Sequence, residues 1–241
     1  FQAEDGIRDC LLSRGLGDVY KRQVNIEKTE IDDVYIVKNL LSKEQHAAIY
    51  NCICYFTRWD FNTCTQNPLH PIEDVNGQSY FSKMFFNFNP DTNNYYESCE
   101  EDWYKVALPL MQSVSTIGWF RPVVRIKANL YTKTENIIEH SLHVDYPPDL
   151  KSPLPWNKDP SITNMVYMVN TNDGYTEIFE EDGKDYLVHG KANEFNDSLF
   201  KKSVKAPSVE NTAVIFSNKY AHRSTSTTNS LGRFTINCNF V

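Results

Sequence analysis

From residue 24 onward the chain changes its apolar period several times, and each change marks a structural element. Val34-Tyr35-Ile36-Val37 is a short apolar run that reads as a strand. Asn39-Leu40-Leu41 then leads to Ser42, a helix-capping residue type, with Glu44 and Gln45 behind it and an apolar stretch to about Cys54. Asn, Pro, Asp and aromatics crowd 57–97, which reads as loops with one strand over 79–87. A second helix is expected over 98–117, with Ser98 as its cap and Glu100 and Glu101 in its first turn. Trp103, Val106, Leu108, Leu110, Met111 and Val114 form its apolar face, despite Pro109.

Beyond residue 122 the period shortens to two. Val124 to Tyr131 alternates strictly, apolar against polar. Further strands are expected over 138–146, 162–170, 175–179, 186–188, 212–217 and 233–240. Turn signals separate them at Pro147-Pro148, Asn172-Asp173-Gly174, Asp182-Gly183 and Leu231-Gly232. Short strands in series after a helical segment predict a mostly β fold with supporting helices, a double-stranded β-helix or jelly roll. On this reading 24–121 is helical support and 122–241 the jelly-roll core of one domain.

Residues 1–23 fit neither pattern. They mix Gly and charge without a sustained period, and they closely resemble translated sequencing-adapter read-through. They are expected to be a non-native extension, as at the ends of metagenomic sequences. The length of 241 residues suits a single domain. A formal charge of −7 argues against a protein that coats nucleic acid through clustered Lys and Arg. No apolar run is long enough to cross a bilayer, and no secretory pattern opens the chain. The six Cys form no C-x-x-C pair and read as free thiols of a reducing cytoplasm.

The candidate chemistry centres on Leu142-His143-Val144-Asp145. His143 and Asp145, two apart on a strand, project from one face, where an imidazole and a carboxylate can share a metal ion. His222, just after the apolar run Ala213-Val214-Ile215-Phe216, is the candidate third ligand. Two His and one carboxylate on one face of an octahedron suit iron(II) and leave three positions open. Arg233 opens the last strand, sharing its polar face with Thr235, Asn237 and Asn239. A buried Arg there needs an anion, and its planar fork matches a carboxylate. The acidic residues Glu177, Glu180, Glu181 and Asp182 fail the register of a calcium loop and read as a solvated hairpin. Ser224 to Thr228 read as polar strand or loop.

Taken together, His143-x-Asp145, distal His222 and Arg233-Phe234-Thr235 resemble the motifs of the 2-oxoglutarate/iron(II) oxygenases, the prolyl-4-hydroxylase-like branch above all. Asp173-Gly174-Tyr175-Thr176-Glu177-Ile178 is similar to that family's Gly-Gly-x-Thr-x-Phe turn and strand, with Asp173 and Ile178 as departures. The resemblance covers 122–241 and implies iron(II) held by His143, Asp145 and His222. It implies 2-oxoglutarate as co-substrate, anchored by Arg233 with Thr235 beside it and contacted by Tyr131 and Asn129, and dioxygen as oxidant. The implied reaction is oxidative decarboxylation of 2-oxoglutarate coupled to hydroxylation of a peptidyl substrate, with proline one candidate, or of a small molecule. The family's nucleic-acid demethylase branch carries a second Arg six residues after the anchor; Asn239 stands there and disfavours a nucleic-acid substrate. The alternative is a jelly-roll binding or structural module without catalysis, since one barrel hosts many functions.

Overall fold

The computed structural model describes residues 24–62, 79–89, 94–97, 103–117, 122–140, 142–145, 162–181 and 200–241. The extension read over 1–23 and the strand expected at 186–188 lie outside them.

The chain begins with β1 (Asn25–Lys28) and β2 (Val34–Lys38). Helix α1 (Lys43–Asn51) starts on a complete capping box: the Ser42 hydroxyl accepts from the Gln45 N–H, and the Gln45 side chain accepts from the Ser42 N–H, each at 3.1 Å. It runs into a π-turn over Cys52–Phe56, which the Thr57 N–H closes onto the Cys52 carbonyl. Strands β3 (Asp60–Asn62), β4 (Tyr80–Asn89) and β5 (Asn94–Glu97) follow. A second π-turn, Trp103–Ala107, leads into α2 (Leu108–Thr116). Pro109 sits in the first positions of α2, where a missing N–H costs least.

Then come β6 (Val123–Thr132), β7 (Thr163–Met168), β8 (Tyr175–Glu181), β9 (Phe200–Pro207), β10 (Thr212–Ser217), β11 (Ala221–Ser224) and β12 (Gly232–Phe240). The large sheet runs β1-β2-β10-β7-β12-β6-β4-β3, with β5 on β4; the small sheet runs β11-β8-β9. Every pairing between these strands is antiparallel among the described residues. This is the jelly roll expected from the strand series.

Alternation along β7 shows why both faces of the large sheet are apolar at its centre. Met165 and Tyr167 join the layer under the helices, packing with Ile49, Ile53, Leu110, Ile126 and Ile236. Val166 and Met168 face the other way and meet Ile178 and Ala206 of the small sheet. Asn211, at a positive φ of 56°, ties the helix layer to the sheet by accepting from the Leu41 N–H and donating to its carbonyl, both at 2.8 Å.

Three expectations need correction. The half read as helical support holds, besides two helices and the strands expected at 34–37 and 79–87, the unread strands β1, β3 and β5 of the large sheet. The 138–146 strand is not regular; it lies along β11 through isolated antiparallel bridges Glu139–Thr225 and His143–His222. Strand β9 went unread because its lysines mask the period, as suits an edge strand, and β11 because it is only four residues long. No described helix is long and apolar enough to cross a membrane.

Candidate metal and co-substrate site

The bridge between His143 and His222 builds the centre. Each N–H donates to the other residue's carbonyl, at 3.0 and 2.9 Å. Residues paired this way put their side chains on one face of the ladder. The two imidazoles accordingly lie with ring centroids 4.5 Å apart. Asp145, two residues past His143, joins them, its Oδ1 3.9 Å from His143 Nε2. One ligand atom from each of the three residues lies within 4.8 Å of the others.

The surroundings prepare each group for a cation. Burial pushes His222 down to about 3, which keeps its ring neutral and its lone pair available. Both of its nitrogens are buried without a well-formed hydrogen bond, the Tyr220 backbone being a polar neighbour that falls short of one. Such orphaned atoms are rare in a folded interior and fit a ligand waiting for its ion. Burial alone would raise Asp145, but Arg125, the two imidazoles and the Asn239 amide together outweigh it, so the carboxyl sits well below the usual range. Arg125 Nη2 lies 3.0 Å from Asp145 Oδ1, and Asn239 Nδ2 donates to Oδ2 at 2.8 Å. The donor set of two imidazoles and a carboxylate fits iron(II).

Arg233 is the largest fully buried side chain among the described residues. Its Nε donates to Ser208 at 2.6 Å, Nη1 to Ser224 at 2.6 Å and Nη2 to Thr176 at 2.8 Å. The remaining contacts of the terminal nitrogens are weak: Nη1 to the Thr225 carbonyl at 3.4 Å and Nη2 to Met168 Sδ at 3.8 Å. A guanidinium has five N–H donors, so one N–H on each terminal nitrogen is left poorly used. No described carboxylate pairs with it. Burial lowers this Arg to about 10, which leaves it charged at neutral pH. Gly174 makes room for its stem, because a Cβ there would meet Arg233 Cδ and the Ser226 carbonyl oxygen at 2.6 Å each.

The ladder between β6 and β12 lays out the inner wall in rows: Arg233 opposite Tyr131, Thr235 opposite Asn129, Asn237 opposite Lys127, and Asn239 opposite Arg125. Tyr131 lies 5.8 Å from the Arg233 guanidinium carbon and stacks on Tyr80. Asn129 donates to Asn237 at 3.3 Å, and the buried Thr235 hydroxyl has no partner. All seven residues singled out from the sequence therefore line one interior.

Sequence reasoning missed the residues that hold those groups. Arg125 and Lys127 were legible, since they continue the polar alternation of Asn129 and Tyr131. Position 239 does carry an amide, and a guanidinium beside Asp145 comes instead from Arg125 across the ladder, 2.8 Å from the Asn239 oxygen. Ser224 and Thr225, read as polar strand or loop, are hydrogen-bond partners of Arg233 in the interior. Ser208 carried no signal. Glu177, read as solvated, is buried and clasped by Arg223 at 2.7 Å and by Ser203 at 2.8 Å. Asp173, the departure from the family's turn, accepts from the Thr227 hydroxyl at 2.6 Å and the Thr228 N–H at 2.9 Å. Of the other imidazoles, His140 is buried against Tyr131 and His46 bonds Tyr167 in the helix layer. His70 and His189 lie outside the described residues.

No family model matches the chain, and no curated protein matches it in sequence. Solved structures match its fold. An oxidoreductase of the 2OG-Fe(II) oxygenase family from Burkholderia pseudomallei superposes with a TM-score of 0.56 at 9% identity, over 86% of this chain and 85% of that one. A prolyl hydroxylase from Trichoplax adhaerens, in complex with a hypoxia inducible factor peptide fragment, gives 0.53 at 12%, over 86% and 83%. The epimerase SnoN, in complex with Fe3+, alpha ketoglutarate and nogalamycin RO, gives 0.55 at 9%, over 87% and 79%. The fold is that of the 2-oxoglutarate/iron(II) oxygenases. Within it, the interior of this chain carries a candidate His/Asp/His metal group and a buried guanidinium without a described counter-anion.

Proposed function

We propose that this protein is an iron(II)- and 2-oxoglutarate-dependent oxygenase that hydroxylates a peptidyl or small-molecule substrate. The observation that carries the reading is one interior holding two unmet demands: a buried His222 with no well-formed hydrogen bond on either nitrogen, and a fully buried Arg233 facing no described carboxylate. A cation beside His143 and Asp145 answers the first; the far carboxylate of 2-oxoglutarate answers the second. Bound iron(II), with 2-oxoglutarate and dioxygen, supplies oxidising power that side chains lack.

The chain's own residues then bind and orient. His143, Asp145 and His222 would hold the metal. Arg125 and Asn239 fix the Asp145 carboxylate and keep it ionised. Arg233 grips the co-substrate through its two underused N–H groups, with Thr235, Tyr131 and Asn129 lining the path toward the metal. The fold neighbours support both substrate classes, since one is in complex with a peptide fragment and another with nogalamycin RO.

Anaerobic titration of the protein with iron(II) and 2-oxoglutarate tests this reading. A weak visible charge-transfer band should develop with both present, and His222→Ala should abolish it. Failure of the band to appear in folded wild type would leave the non-catalytic jelly-roll module as the better reading.

A further inference from the structure

The polar row between the metal group and the anchor carries a cation that the proposed function does not use. Lys127 lies opposite Asn237 on the inner wall, one row from Arg125 and two rows from Tyr131. Successive rows are about 7 Å apart along a strand. Lys127 thus belongs to the metal side of the interior, about 13 Å of strand from the level of Arg233. Its ammonium is half-buried, donates to the Tyr80 hydroxyl at 2.8 Å and lies 4.9 Å from the centre of that ring. Both contacts are to a neutral side chain. The nearby carboxylate, Asp145, is already taken by Arg125 and Asn239.

Among the described residues of this wall, Arg125, Lys127 and Arg233 face the single carboxylate Asp145. Iron(II) and the 2-oxoglutarate dianion would cancel each other. Two positive charges therefore remain in the loaded interior, and a low-dielectric cavity favours setting a carboxylate against them, whether one end of the dianion or one carried by the primary substrate.

We propose that Lys127, with the Tyr80 hydroxyl beside it, is a second carboxylate-binding point, distinct from Arg233. The proposal rests on the oxygenase reading above. Two carboxylates could occupy it: the metal-side carboxylate of 2-oxoglutarate, or one borne by an acidic primary substrate. Both would take a charge-assisted bond from Nζ and a hydrogen bond from the tyrosine.

Anaerobic calorimetry on the iron(II)-loaded protein separates the sources. The probes are 2-oxoglutarate and 2-oxobutyrate, which keeps the metal-side acid but lacks the far carboxylate. With 2-oxoglutarate saturating, a second arm compares N-acetylglutamate amide with N-acetylglutamine amide, read through the charge-transfer band. Wild type, Lys127→Met and Lys127→Arg are compared, after thermal unfolding has shown that each variant folds.

If the co-substrate is the source, Lys127→Met should weaken both keto acids about tenfold or more, and Lys127→Arg should recover part. If the substrate is the source, both keto acids should bind as in wild type. The glutamate probe should then perturb the band more strongly than the glutamine probe, and Lys127→Met should erase that preference. Unchanged keto-acid binding together with no preference between the two amides would overturn the proposal and leave Lys127 as packing on Tyr80. Failure of wild type itself to bind either keto acid would instead sink the oxygenase reading, and this proposal with it.

Discussion

Replacing Arg233 with Met keeps a long apolar stem in place and removes the cation. The guanidinium now spends three donors on Ser208, Ser224 and Thr176, and leaves one weakly used N–H on each terminal nitrogen. A carboxylate meeting those two would gain bonds of about 1.5–3 kcal/mol each. The contacts they displace, to the Thr225 carbonyl and the Met168 sulfur, offset part of that gain. The net loss in Arg233→Met should correspond to roughly tenfold to several hundredfold in 2-oxoglutarate affinity. Arg233→Lys should recover only part, because a point charge cannot reproduce the planar fork.

Ligand-linked stability gives a direct assay. At 2-oxoglutarate 100-fold above its Kd, wild type with iron(II) should gain about 2.7 kcal/mol. If the Kd rises about 100-fold, the gain at the same concentration falls to roughly 0.4 kcal/mol. Iron affinity, governed by His143, Asp145 and His222, should change little, and 2-oxobutyrate should bind both proteins alike. A folded Arg233→Met variant that is stabilised by 2-oxoglutarate as wild type is would refute the anchor assignment.

Arg125→Met should release Asp145 from its orienting partner and lower iron(II) affinity by about 10- to 100-fold, measured by anaerobic titration; Arg125→Lys should restore part of it. Gly174→Ala should cost about 1–3 kcal/mol in chemical unfolding, because the Ser226 carbonyl that its Cβ would strike is backbone and cannot move aside cheaply. The same change should weaken 2-oxoglutarate by pressing on the Arg233 stem. Despite some desolvation, hydrogen bonds from Thr227, Thr228 and Asn229 hold Asp173 well below the usual carboxylate range. A depressed folded-state value contributes stability above the unfolded one, near 3.9, and loses it as pH falls. Asp173→Asn should therefore melt below wild type at neutral pH, with the gap closing as pH drops from about 5 toward 3.

The strand series and the metal motif were legible because both are written in local periods. Val124 to Tyr131 and Arg233 to Phe240 alternate without interruption, so their inner faces could be named before any partner was known. His143 and Asp145 declare their shared face by spacing alone. Ser42 and Gln45 likewise announce the start of α1, since a capping box spans only one turn. Local spacing says nothing about what lies across the barrel, however. Only the closed fold puts the His222 backbone against His143 and so aims two imidazoles at one point. The fold also sets Arg125 beside Asp145, and Ser208, Ser224 and Thr176 around Arg233, from segments up to 57 residues away in sequence. Hydroxyls recruited at that range have no period to betray them. The same applies to Glu177, whose charge looks solvated along the chain and is buried only because Arg223 and Ser203 arrive on neighbouring strands. Residue type and spacing determined which groups could do chemistry; packing between the two sheets decided which were desolvated and paired, and hydrogen bonding and electrostatics in a low-dielectric interior depend on that.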